Sequence, residues 1–180
     1  TISGGDARDR LSGGDGNDTV SGDAGNDRMS GGSGDDTQNG GDGNDVIYAN
    51  VGVDTSLGGP GNDTLWALAR ADVTPGPGGA TDTVGDTLDG GPGDDLFRTR
   101  DGEADRITCG DGNDVALLDS VDVISDATAD NANGSCERVE RKDLGQAKGR
   151  GNARVKDDAQ SEDNGQREQQ SGEVERPRGI

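Results

Sequence analysis

Histidine is absent from the chain, which holds only two cysteines, one tryptophan, one tyrosine and one phenylalanine. Without histidine there is no Ser–His or Cys–His catalytic pair and no HExxH-type metal site. Zinc and copper also lose their preferred imidazole donors. Apolar residues make up 26% of the 180 positions, too few for a conventional globular core to offset chain entropy. No apolar run approaches the length that spans a bilayer. On these shortages alone disorder is the default, so a folded state needs stabilisation from another source.

Negative charge and glycine are abundant. Residues 1–140 carry 29 acidic and 8 basic side chains, whereas 141–180 carry 8 and 9, so the whole net charge of −20 sits in the first part. Such a field repels nucleic acid and anionic membrane surfaces and attracts cations. The chain starts at Thr1, part-way through a repeat, and is read as a mature or truncated segment.

From Gly4 a nine-residue frame holds for seven units over 4–66: GGDARDRLS, GGDGNDTVS, GDAGNDRMS, GGSGDDTQN, GGDGNDVIY, ANVGVDTSL and GGPGNDTLW. The sixth position is always aspartate: Asp9, Asp18, Asp27, Asp36, Asp45, Asp54 and Asp63. The eighth is apolar in five units (Leu11, Val20, Met29, Ile47 and Leu65), with Gln38 and Ser56 breaking the column. Low-complexity Gly/Asp sequence would not keep seven aspartates in one phase. Residues 67–80 read as an insertion, and TDTVGDTLD (81–89) keeps only Asp86 and Leu88 in place. GGPGDDLFR (90–98) and CGDGNDVAL (109–117) are better copies, carrying Asp95 and Asp114 in the sixth column. DRIT (105–108) and DVIS (122–125) are shorter echoes.

Within one unit, GGxGxD reads as a tight turn, because glycine permits φ > 0 and close approach of neighbouring backbone. The last three positions favour a short strand with its middle residue pointing inward. Stacked units give a parallel solenoid with one inward side chain each. That is little apolar burial per unit, and stacked aspartates add repulsion, so the metal-free array is expected to be marginal or unfolded. Calcium suits the deficit: it takes six to eight oxygens from carboxylates and carbonyls alike, whereas magnesium keeps its waters and demands stricter geometry.

GGDGNDTVS, GGDGNDVIY and GGPGNDTLW resemble the RTX, or hemolysin-type, calcium-binding repeat. The resemblance implies an all-β, right-handed parallel β-roll in which consecutive units form opposite sides of one coil. It places Asp9, Asp27, Asp45 and Asp63 on one side and Asp18, Asp36 and Asp54 on the other. It also implies several calcium ions between turns two units apart. Their ligands would be Asp9, Asp18, Asp27, Asp36, Asp45 and Asp63, with Asp95 and Asp114 in the later copies. Carbonyls of Gly14, Gly16, Gly32, Gly34, Gly41, Gly43, Gly59 and Gly61 would be partner ligands. The sixth unit lacks the glycine pair, which weakens the site at Asp54, and Ala7 and Arg8 weaken the first. Gln38 marks either a polar interior or a shifted register. The stretch CGDGNDVALLDSVDVI followed by CERVER resembles the carboxy-terminal end of actinobacterial RTX-repeat proteins.

In an exported acidic protein Cys109 and Cys136 read as a disulfide stapling the last repeat to SCERVER, against two free thiols or a link to another chain. A disulfide favours export by the general secretory route. Tyr48 and Trp66 in the ninth column and Phe97 in the eighth read as core or shoulder packing. The expected organisation is a regular array (1–66), an insertion with a degenerate repeat (67–89), a second block with a C-terminal cap (90–140) and a disordered charged tail (141–180). The function expected is that of a secreted, extracellular, non-enzymatic calcium-binding module that folds on meeting calcium and serves as a stabiliser or spacer. Its partners would be calcium and an attached or upstream domain or a cell-surface ligand, with no nucleic acid and no membrane insertion. The alternative is an adhesion or surface-interaction module; a polysaccharide-processing body would need a basic or aromatic groove, which the sequence does not display.

Overall fold

The computed structural model describes residues 1–67 and 85–142. The inserted segment beyond Ala67 and all of the expected tail from 143 onward lie outside the described residues. Fourteen strands are present and, among the described residues, no helix. One sheet contains β1 (Ile2–Gly5), β3 (Thr19–Asp23), β5 (Thr37–Asn39), β7 (Thr55–Leu57), β9 (Thr87–Pro92), β11 (Arg106–Asp111) and β13 (Val123–Ile124). The other contains β2 (Arg10–Asp15), β4 (Arg28–Ser33), β6 (Val46–Val51), β8 (Thr64–Trp66), β10 (Leu96–Arg98), β12 (Val115–Leu118) and β14 (Arg138–Arg141). All pairings are parallel and consecutive strands alternate between sheets, which makes the chain a parallel β-solenoid. Both sheets lie in one compact unit, Thr1–Ala147.

The nonapeptide becomes a half-coil because glycine and aspartate form the corner while the T-V-S-type triplet forms the strand. Several strands run longer than that triplet and continue through the following GGx, as in RMSGGS and TLDGGP. The corner requires φ > 0 at the second and fourth positions, and the glycines there adopt it. Where glycine is missing at the second position, Asp23 (φ 71°) and Asn50 (φ 79°) take the left-handed angle instead. This is how the sixth unit, ANVGVDTSL, keeps the fold.

Two inward columns line the interior, one more than the repeat pattern implies. The eighth position supplies Val20, Met29, Ile47, Leu65, Leu88, Phe97, Ile107, Ala116 and Ile124. The first position of each unit also faces inward: it is glycine through most of the array, then Ala67, Thr99, Cys109 and Leu118. The later coils therefore hold the larger apolar cluster, from Leu65 to Cys136, while the early coils hold Val20, Met29 and Ile47 with Ile2 and Leu11 beside them.

Between the clusters lies a polar tier. Gln38 is fully buried in the unshifted register Val20–Gln38–Ser56. Its Nε2 donates to the Tyr48 carbonyl (3.0 Å) and its Oε1 accepts from Ser56 Oγ (3.0 Å). The polar interior is thus the explanation for Gln38, and the amide is satisfied on both ends.

The phase that the sequence loses after residue 66 is kept in space. The turn 99–105 carries one extra residue and the turn before β13 one fewer, yet DRIT and DVIS form β11 and β13 in full register. Cys109 and Cys136 are bonded, with a Cα–Cα distance of 5.2 Å. This staples the last regular coil to the segment leading into β14. A loop of that length adds roughly 3–4 kcal/mol by the chain-entropy estimate.

Candidate metal centre

The sixth-column acids form two ladders, one on each edge where the chain passes between sheets. One edge carries Asp9, Asp27, Asp45, Asp63, Asp95 and Asp114; the other carries Asp18, Asp36, Asp54, Asp86, Asp105 and Asp122. The backbone N–H of each acid donates to Oδ1 of the next acid along its edge, at 2.7–2.8 Å from Asp9 to Asp27, Asp27 to Asp45, Asp45 to Asp63 and Asp63 to Asp95. Asp95 continues to Asp114 at 2.8 Å, and Asp114 N–H donates to Glu137 Oε2 at 2.7 Å, so glutamate ends this ladder. The second edge runs from Asp18 through Asp36, Asp54, Asp86 and Asp105 to Asp122 at 2.7–3.2 Å. The separation into two sides matches the expectation for all seven regular units.

Sequence reasoning missed Asp105, Asp122 and Glu137 as ladder members, although their Asp-x-apolar and Glu-x-apolar triplets survive. It also missed the fifth column. There an Asn or Asp side chain accepts from the fifth-position N–H of the next coil, as in Asn17 to Asp35, Asn26 to Asn44, Asn44 to Asn62 and Asn62 to Asp94 (2.9–3.1 Å). The two columns donate in opposite directions along the stack, so each corner is held from both neighbours.

In eight of these acids one oxygen is left over, whereas Asp122 accepts on both, its Oδ2 from Thr99 Oγ1 and the Asp119 N–H. Oδ2 of Asp9, Asp27, Asp36, Asp45, Asp63, Asp95, Asp105 and Asp114 is buried and accepts no hydrogen bond among the described residues. A buried, unsatisfied carboxylate oxygen is costly. Burial is the leading cause that raises Asp63 to about 7, Asp95 to about 6 and Asp105 to about 9, with neighbouring carboxylates pushing the same way. Asp36, Asp45, Asp114 and Asp122 are raised for the same first reason. Asp23, on the surface, moves down because Ser3 and Ser21 donate to it.

In the units of Asp9, Asp27, Asp36, Asp45, Asp63 and Asp95 the unpartnered oxygen faces the first-position glycine, whereas Thr99 and Cys109 hold that position in the units of Asp105 and Asp114. A Cβ added at Gly22, Gly31, Gly40, Gly58 or Gly90 would lie 2.3–2.4 Å from Oδ2 of Asp27, Asp36, Asp45, Asp63 or Asp95. The second- and fourth-position glycines stack as closely on carbonyls of the coil before: a Cβ on Gly43 or Gly61 would lie 1.8 or 1.7 Å from the carbonyl oxygen of Gly25 or Gly43. Gly14, Gly16, Gly32 and Gly34 gather on the edge of Asp18 and Asp36. Gly41, Gly43, Gly59 and Gly61 gather on the edge of Asp45 and Asp63, where Gly91, Gly93, Gly110 and Gly112 extend the stack beyond the residues picked from sequence. The carbonyls of Gly16, Gly34, Gly43 and Gly61 receive no backbone hydrogen bond among the described residues. Among the described residues no three acidic or sulfur side chains converge on a common point, so a cation at these corners would draw on backbone oxygens as well as Oδ2. That donor set, all oxygen and part anionic, fits a hard cation of calcium's size and coordination number.

Ala49 stands in the first-position column beside Asp54, placing a methyl where the other regular units have only hydrogen. Gly40→Ala should therefore behave as a local overpacking of the other edge. With the new Cβ at 2.3 Å from Asp45 Oδ2 and 2.4 Å from the Gly58 carbonyl oxygen, we expect a loss of about 1–3 kcal/mol and weaker cation binding. Ala49→Gly should leave both close to the parent. Thermal melts and cation titration of the two variants check this, and equal behaviour would remove the cradle argument.

A family model described as the RTX calcium-binding nonapeptide repeat (four copies) matches residues 3–38, 31–65 and 82–116, together more than half of the chain. No curated protein matches it.

Proposed function

Because the chain belongs to the family of RTX calcium-binding nonapeptide-repeat proteins, we propose that this calcium-binding module is secreted, folds when it meets extracellular calcium, and acts as a non-catalytic stabiliser or spacer. The observation that carries the reading is the pair of carboxylate ladders in which Asp9, Asp27, Asp36, Asp45, Asp63, Asp95, Asp105 and Asp114 each keep one buried oxygen without a hydrogen bond, beside turn carbonyls that accept no backbone hydrogen bond. Asp9, Asp27, Asp45, Asp63, Asp95 and Asp114 would hold ions on one edge, and Asp18 and Asp36 on the other. The first edge is the better provided, since its glycine corners run without a break from Gly41 to Gly112. Calcium supplies the positive charge that the columns lack and takes many oxygens in a flexible shell.

The chain's own part is to present those oxygens in register. Ladder hydrogen bonds fix each Oδ1, glycine keeps the corner clear, and the parallel sheets space the turns at about 4.8 Å. At low free calcium the same acidic columns repel one another and oppose stacking, which keeps the chain extended for export. Residues 1–66 and 90–140 are the ion-holding blocks in this proposal, 67–89 the link between them, and 141–180 a charged tail.

Isothermal calorimetry with calcium tests the reading. About five to seven ions are expected, with dissociation constants of order 10⁻⁴–10⁻³ M as in extracellular modules. A stoichiometry of zero or one would defeat it.

A further inference from the structure

The outward positions of the two sheets differ in a way that the nonapeptide column hides. Alternate units fall on opposite sheets, so the seventh column splits into Thr19, Thr37, Thr55 and Thr87 on one face and Arg10, Arg28, Val46 and Thr64 on the other. On the second face, the outward residues of β2 to β12 are Arg10, Ser12, Arg28, Ser30, Val46, Tyr48, Thr64, Trp66, Leu96, Arg98, Val115 and Leu117. None of these triplet residues is acidic, in a chain of net charge −20; the acids nearest them on this sheet are Asp15 at the end of β2 and Glu140 on β14 beside Leu117.

Across four adjacent strands this face builds one stack. Tyr48 and Trp66 are outward and half-buried, not core residues as Phe97 is, and their rings stack at 5.9 Å with a 16° tilt. The Arg28 guanidinium lies 4.5 Å from the Tyr48 ring centre and the Arg98 guanidinium 4.7 Å from that of Trp66. The two cations are thus held by ring faces, three strand spacings apart, about 14 Å. No carboxylate among the described residues pairs with Arg10, Arg28 or Arg98, and Arg98 Nε is buried without a hydrogen-bond partner. Beside Arg28 an open cleft of ≈ 430 Å³ is lined with hydroxyl and amide groups from Ser12, Ser30, Tyr48 and Asn50, together with Arg10.

We propose that this face binds a carboxylated polysaccharide. Its carboxylates would meet the guanidiniums of Arg10, Arg28 and Arg98, its hydroxyls the Ser12–Ser30–Asn50 cleft, and its C–H surfaces the Tyr48–Trp66 stack. The occupant follows from charge and geometry. Strand backbone groups under the Tyr48–Trp66 stack are already paired within the sheet, so an acidic peptide could add a strand only at an outer edge of the sheet, as at β2, away from the rings and Arg98. A nucleic acid carries dense charge, one per ~1.7 Å of duplex, and would meet the acidic corners flanking the face. A polyuronate carries one charge per sugar and brings the hydroxyls that the cleft can bond. The inference rests on the sheet geometry and goes beyond the calcium-dependent function proposed above.

Hexagalacturonate, maltohexaose and poly-glutamate are titrated into the full chain in excess calcium, after circular dichroism has shown the β-fold. That check separates failure of this face from failure of calcium-driven folding. Hexagalacturonate should bind and change Trp66 emission, while maltohexaose should not. Arg28→Ala/Arg98→Ala should weaken binding by roughly 10–100-fold, the range for losing hydrogen bonds to charged groups. Arg28→Lys/Arg98→Lys should recover part of it, and Arg106→Ala on the opposite sheet should leave it unchanged. The proposal is overturned by absent hexagalacturonate binding, by equal maltohexaose binding, or by tighter poly-glutamate binding. Binding that survives Arg28→Ala/Arg98→Ala also overturns it, because the ligand would then be bridged by calcium at the acidic corners.

Discussion

Chelating calcium at pH 7.5 should abolish the β-type circular dichroism of this protein and shift Trp66 emission to the red; millimolar calcium should restore both. The size of the effect follows from linkage. A site at tenfold excess over its dissociation constant stabilises the folded state by about 1.4 kcal/mol, so five sites give on the order of 7 kcal/mol. That is comparable with the whole stability of an ordinary domain, about 5–15 kcal/mol. Among the described residues the early coils bury Val20, Met29 and Ile47 as their large apolar side chains, with Ala49 beside them, and have no comparable reserve. The Cys109–Cys136 bond survives chelation, so it should speed refolding without preserving the sheets. Indifference of both signals to chelator would refute calcium-driven folding.

Acid should act in opposite directions on the two forms. In the metal-free chain, Asp63, Asp95 and Asp105 have folded-state values raised from 3.8 to about 7, 6 and 9. Between 3.8 and those values the folded chain binds more protons than the unfolded one, so stability falls as pH rises. Their contribution is complete below about pH 3.8 and is lost through pH 6–9. Protonation also relieves the self-repulsion of a −20 chain. With calcium bound the order reverses, because the ion needs the ionised carboxylates and protons compete for them. The metal-free chain should thus hold more β-structure at pH 4 than at pH 8, while in calcium the melting temperature should rise over the same range. Parallel trends would mean that the buried Oδ2 atoms are not where the ion is held.

The regular array was legible because Asp9 to Asp63 recur in one phase, and phase alone sorts them onto alternating edges. Asp105, Asp122 and Glu137 were harder to place. One residue gained or lost in a corner breaks the count of nine, while the sheet register tolerates it. The fifth-column ladders, Asn17 to Val53 on one edge and Asn26 to Asn113 on the other, were hidden by residue type, since Asn in a glycine-rich turn reads as turn chemistry. In each, the partner is a backbone N–H one whole coil away. The outer face was invisible for a different reason. Arg10 and Arg28 share a column with Thr19 and Thr37 in sequence but not a sheet in space. Tyr48 and Trp66 stack only because parallel strands set positions eighteen apart beside each other. Gln38 was legible as an anomaly, and only the register could assign it to the interior.

That glutamine has a mechanical consequence. A solenoid transmits load from coil to coil, and each interface is as strong as the groups it buries. At the Gln38–Ser56 tier one sheet's eighth-column apolar contact gives way to an amide–hydroxyl bond, leaving Ile47 and Leu65 of the other sheet as the large apolar pair between those coils. Under tension the coils are expected to part at that tier first. The disulfide-stapled coils above it can hold while the coils below peel away and later re-stack on the exposed edge as a ready template.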